Sequence, residues 1–221
     1  MGGDEEVTQV HVQETTIRSR LFNVFEITLL FGAAAVGGVA AVTVALVKAD
    51  FEGDCPLFAE VTYTNIVYFR IDVNPSSFEC DYCIILQVFL AMSALLLIML
   101  RIIVICTRLV SPAMRQWVRL IIMIPFFVIT SFAVLLQAAI ITAGLNTFCR
   151  GLLDGAVDEM RCWMFQPIDW SIYDGFRFYD RLFKGMIASW SSFLIWAILT
   201  TSSCLVALSS KKPPNQRRRQ Q

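Results

Sequence analysis

Seven cysteines are the residues in this chain of 221 best equipped for chemistry, and their spacing divides them into two sets. Cys55, Cys80, Cys83, Cys149 and Cys162 fall in or beside two intervals between apolar runs, whereas Cys106 and Cys204 lie near the opposite ends of such runs. In an oxidising compartment the first set forms disulfides. Pairing Cys55 with Cys80 and Cys149 with Cys162 closes each interval on itself and is preferred; pairing across the intervals competes with it, because sequence alone does not fix connectivity. Cys83 is left over, and Cys80-Asp-Tyr-Cys83 has the CxxC spacing of thiol redox enzymes. With no βαβ pattern around it, Cys83 reads instead as the first helical residue of a span. Cys106 and Cys204 are candidates for palmitoylation.

Other chemistry is thin. The single histidine, His11, has no second ligand cluster beside it, so neither a metal nor any other cofactor is expected. Asp169, Asp174 and Asp180 read as a solvated acidic surface, and no GxSxG, HExxH or P-loop motif occurs. The chain is not expected to be an enzyme.

The elements that must position these cysteines are apolar. Hydrophobic residues make up 57% of the chain and charged residues 16%, with a mean hydropathy of +0.63, which places it in the multi-span membrane class. Four runs, Leu21–Val47, Cys83–Cys106, Val118–Leu145 and Gly185–Leu208, each reach the roughly 20 residues a helical span requires. The expected fold is an all-α membrane protein: a left-handed four-transmembrane-helix bundle with a small disulfide-closed cap on its extracellular or lumenal side. The first run exceeds the length of a signal-peptide core and reads as an uncleaved anchor.

Lys and Arg set the orientation. Arg18, Arg20, Arg108, Arg115, Arg119 and the tail Lys211, Lys212, Arg217, Arg218 and Arg219 all belong to one face, which becomes cytosolic. Residues 1–20 and 209–221 are then cytosolic tails flanking a transmembrane domain over 21–208, in the secretory pathway or plasma membrane. The outer loops are Lys48–Tyr82 and Asn146–Lys184; short strands are expected within Glu60–Val73, where β-formers precede Asn74-Pro75. The net charge is zero, so no field points to nucleic acid.

Inside the spans, Glu26 and Arg101 stand at equal depth near the cytosolic side and are candidate partners, with snorkelling of Arg101 to the lipid phosphates as the competing arrangement. Ala33, Gly37 and Ala41 form a small-xxx-small face that packs within the bundle, with a dimer interface as the competing use. Gln87, Gln137, Ser93, Thr130 and Ser131 read as interhelical hydrogen-bond glue, the Ser/Thr-rich fourth run as bonding neighbours or its own backbone, and Pro125 as a kink in the third. The basic tail Lys211–Arg219 is expected to attract lipid headgroups at about 1 kcal/mol per basic residue.

Phe51-Glu-Gly53-Asp-Cys55-Pro-Leu57-Phe58-Ala-Glu60 after the first run, Phe148-Cys149 after the third, Cys162 about a dozen residues on, and Tyr173-Asp174 or Tyr179-Asp180 leading into Trp190 and Trp196 carry a family pattern. Across Phe22–Leu208 the chain resembles the transmembrane protein 179 family. That resemblance implies a four-span membrane protein with no established catalytic activity. Neither the Trp-Gly-Leu-Trp run of claudin-like proteins nor the Cys-Cys-Gly loop of tetraspanins is present, which argues against borrowing their roles. The expected function is that of a non-enzymatic accessory, scaffold or regulatory subunit. Its expected partners are membrane lipids and another membrane or extracellular protein, with a homo-oligomer as a further arrangement. The alternative is a subunit of a small oligomeric channel or transporter, with Glu26, Arg101 or Gln137 on a water-filled path.

Overall fold

The computed structural model describes residues 3–63, 69–72, 78–107, 118–154, 161–167, 170, 173 and 175–210. The first helix, α1, runs Gly3–Asp50 without interruption. No proline breaks it. A hairpin follows, β1 (Glu60–Tyr63) antiparallel to β2 (Phe69–Asp72), with Glu60 opposite Asp72 and Tyr63 opposite Phe69. Helix α2 spans Phe78–Thr107, helix α3 Ile124–Leu153 and helix α4 Phe178–Ser210. Four segments, Leu21–Asp50, Phe78–Ile105, Leu120–Leu153 and Phe178–Leu208, are long and apolar enough to cross a bilayer.

The third span starts in an unusual way. Arg119–Met123 forms one π-helical turn, and Pro125 stands among the first residues of the α-helix that follows. The chain is already helical at Met123, so Pro125 removes a bond to the preceding turn, and the widened turn there takes up the disturbance expected at Pro125.

The helices overrun the apolar runs at the disulfide-bearing end. α2 begins at Phe78, so Cys83 lies in its second turn instead of opening the span, and α3 and α4 extend to Leu153 and back to Phe178. The extensions carry buried residues at helical spacing: Phe148 and Leu152 on α3, Phe178 and Leu182 on α4. Each of these helices thus supplies a wall of the cap.

α1 packs along both α2 and α4, α3 packs on α4, and α2 touches α3 only lightly. Many large apolar residues on the outside, such as Phe31 and Val42 on α1 and Ile85, Phe89 and Met92 on α2, are exposed and suit contact with lipid tails. Threonines and serines along the spans, among them Thr28, Thr43, Ser93 and Thr201, return their hydroxyls to carbonyls one turn back, which satisfies them without a partner helix.

Candidate functional site: a closed cap above a buried polar layer

The cap begins where α1 stops. Glu52 N–H donates to Ala49 O and Gly53 N–H to Lys48 O, the paired bonds of a Schellman ending, with Glu52 at φ 54° and Gly53 at φ 98°. This turn sends the chain back over the bundle. It places Cys55 against Cys80 in α2, with Cα atoms 5.7 Å apart, in a disulfide. A second disulfide joins Cys149 of α3 to Cys162, Cα atoms 5.3 Å apart, at the start of a short 3-10 turn over Cys162–Phe165. Both are the pairings that close a loop on itself. Cys83 is a buried free thiol, and Cys204 is also free.

Between the disulfides lies an aromatic core. Phe51 stacks on Tyr173 at 5.1 Å and meets Trp170 and Phe148 edge-on at 5.8 and 6.3 Å. Phe178 contacts Phe148 at 5.5 Å and Trp170 at 4.9 Å. The Trp170 indole N–H donates to Phe165 O at 2.9 Å, so burying this ring leaves no orphan donor. Two ion pairs hold the end of α1 from opposite sides: Lys48 to Asp81 of α2, and Asp50 to Arg181 of α4.

Three glycines admit this packing. A Cβ on Gly175 would stand 2.3 Å from the Trp170 ring, one on Gly144 2.8 Å from Leu57 Cδ2, and one on Gly185 2.8 Å from Thr43 Oγ1. The hairpin rests on α3 in the same way, since a Cβ on Gly151 would meet Val61 Cγ2 at 3.3 Å. None of the four forms a spaced pattern along one helix, so sequence reasoning passed over them. Position after a run of β-formers or before a tryptophan is no signal of close approach.

Below the cap, the buried apolar residues fall into two clusters. The outer includes Val44, Cys83, Ile141 and Leu182; the inner includes Leu30, Leu90, Phe127, Val134 and Trp196. Between them lies a polar layer. Gln87 Nε2 donates to Gln137 Oε1 at 2.9 Å, and Gln137 Nε2 donates to Ser189 Oγ at 3.5 Å, tying α2, α3 and α4. All three residues are fully buried. Ser131 and Thr200 add a hydroxyl pair at 3.0 Å, and Trp190 Nε1 donates to Thr142 Oγ1 at 3.1 Å. Among the described residues, Gln87 Oε1 and Ser192 Oγ have no hydrogen-bond partner.

The remaining expected residues fall as follows. Arg101 Nη2 of α2 stands 3.1 Å from Glu26 Oε2 of α1, and the Glu26 side chain is almost fully buried. Ala33, Gly37 and Ala41 are buried, and Gly37 faces Gln87 and Ala91 of α2, so this face lies inside the bundle. Gly38 beside it faces open space. Lys211, Lys212, Arg217, Arg218 and Arg219 lie outside the described residues, as do Asp169 and Asp174. Asp180 is exposed in the first turn of α4. Among the described residues, no group of three or more His, Cys, Asp or Glu side chains is placed to hold a metal.

Four apolar helices, an interior whose polar groups bond from helix to helix and a cap closed by two disulfides define an integral membrane protein of the multi-pass class. Residues 22–220 match the family model described as the Transmembrane protein 179/179B Claudin domain. The chain belongs to that family. The missing Trp-Gly-Leu-Trp run therefore does not separate it from the claudin domain type. No match was found among curated proteins or among solved structures.

Proposed function

We propose that this protein is a non-enzymatic accessory or scaffold subunit whose cap contacts another membrane or extracellular protein. One observation carries the reading: Gln87, Gln137 and Ser189 bond one another inside the bundle, while the cap, around its buried aromatic core, leaves large apolar side chains exposed. Phe58, Trp163, Met164 and Phe176 are exposed on a body stiffened by two disulfides, with Glu52 and Glu60 exposed beside them. Rigid exposed aromatics are the usual anchors of protein interfaces, since they lose little entropy on binding. The flanking carboxylates favour a partner with basic groups. The cap lies on the extracellular or lumenal side in this reading, with both chain ends cytosolic.

A channel subunit would need Glu26, Arg101 or Gln137 on a water-filled path; Glu26 and Arg101 meet each other, and Gln137 meets Gln87 and Ser189. Proximity labelling from the cap, followed by gentle solubilisation, tests the two readings. The accessory reading expects one membrane or extracellular protein to copurify in fixed proportion and to be lost when Phe58 and Trp163 are both replaced by Ala. Recovery of a homo-oligomer alone, conducting in reconstituted bilayers, would overturn it.

A further inference from the structure

At the disulfide-bearing end, α1 and α4 separate beyond their close approach at Gly185 and Thr43, leaving a pocket of about 680 Å³. Its walls differ in chemistry. Arg177, Asp180 and Lys184 recur at spacings of three and four, which sets them along one side of the chain entering α4. Arg181 also lines the pocket but is neutralised by Asp50. Arg177 lies over the Phe176 ring at 5.7 Å and has no carboxylate partner among the described residues; the same holds for Lys184. Asp180 is engaged only through its backbone N–H, which donates to Gln166 Oε1 at 3.2 Å. Opposite stand the exposed indole of Trp163 and the apolar side chain of Leu46.

The pocket therefore offers two free cations, one free carboxylate, an open aromatic face and an apolar wall. Thr43 and Leu46 stand in the last two turns of the first apolar segment and Asp180, Arg181 and Lys184 in the first two of the fourth, so the pocket opens where the ends of two spans meet lipid headgroups. We infer that it binds the phosphocholine headgroup of a phospholipid in the leaflet at the disulfide-bearing end. The phosphate sits with Arg177 and Lys184, which supply charge-assisted hydrogen bonds. The quaternary ammonium meets the Trp163 face and Asp180, and the acyl chains descend beside Leu46. Each headgroup charge meets an opposite one, the phosphate Arg177 and Lys184 and the ammonium Asp180, and the pocket keeps one net positive charge. An anionic headgroup without the ammonium would leave Asp180 facing like charge, and a primary amine gains less than a quaternary one from the indole.

Native mass spectrometry of the full chain tests this. The protein is solubilised in detergent with equimolar phosphatidylcholine, phosphatidylethanolamine and phosphatidylglycerol of identical chains. One phosphatidylcholine is expected to be retained in preference to the other two. Replacing Arg177 and Lys184 together by Gln should lower its retention about tenfold, the loss of one or two charge-assisted bonds. Trp163→Ala, with the cations kept, should bring phosphatidylcholine and phosphatidylethanolamine to equal retention. All three side chains are exposed, and intact disulfide masses report that the variants fold. Equal retention of the three lipids, preference for phosphatidylglycerol, or unchanged retention in the double variant would overturn the proposal, since each describes unselective cations at an interface. Displacement of the lipid by millimolar free phosphocholine would likewise overturn it, in favour of a soluble ligand.

Discussion

Glu52 occupies a position that glycine fills in most helix endings of this kind. Its φ of 54° strains an L side chain, whereas the Gly53 that follows would accept such an angle freely. Glu52→Gly is therefore expected to raise stability by up to about 1 kcal/mol, read as a higher melting temperature in detergent. A lower one would show that the carboxylate contributes more than the strain costs. Glu26 and Arg101 pose the opposite balance. Their pair is nearly enclosed, with side-chain exposures of 2% and 16%, so removing one partner leaves the other charge without its counterion in a poor solvent. Arg101→Met alone should cost about 3 kcal/mol, and Glu26→Gln combined with Arg101→Met should recover most of it. Equal losses in the single and double variants would mean that Arg101 contributes through the packing of its side chain and not through its pair with Glu26.

Among the elements, helix contacts depend on where side chains are missing. Leu57 of the cap fits against Gly144 of α3, and Thr43 of α1 against Gly185 of α4. Gly144→Val and Gly185→Val should each destabilise by about 1–3 kcal/mol through overpacking, while Gly38→Ala, with open space around it, should stay close to wild type. Unfolding in graded denaturing detergent separates them; a large loss at Gly38 would point to a second chain packed there. The four spans were legible in the sequence because lipid demands an unbroken apolar run, a constraint no tertiary contact relaxes. Gly37 was legible for a related reason: its small neighbours Ala33 and Ala41 share its face of one helix. Gly144 and Gly185 were not, since each answers to a residue distant in sequence, and Gly175, five residues from Trp170, sits in a turn that no periodic pattern marks. The helices run on past the apolar runs because Phe148, Leu152, Phe178 and Leu182 continue helical spacing among polar residues, where hydropathy alone loses them.

At the scale of the whole molecule, the two apolar clusters and the polar layer between them divide the stability unevenly. The outer cluster includes Cys55, Cys80 and Cys162, so both disulfides are anchored in it; the inner cluster has none. A disulfide closing a loop of this length stabilises by about 3 kcal/mol, chiefly by restricting the unfolded chain. Replacing Cys55 and Cys80 together by Ser should thus loosen the outer ends of α1 and α2 first. The inner contacts of Leu30, Leu90 and Trp196, held by the bilayer and the polar layer, have no reason to follow. Hydrogen exchange in lipid nanodiscs reads this directly: protection is expected to fall for residues 47–63 and 78–83 and to persist for 27–34 and 90–97. Uniform loss across both sets would mean that Gln87, Gln137 and Ser189 couple the two clusters into one cooperative unit, making the polar layer the joint through which a partner on the cap reaches the opposite ends of the spans. Selective loss would make the cap a platform that binds without disturbing the bundle beneath it, as the accessory reading requires.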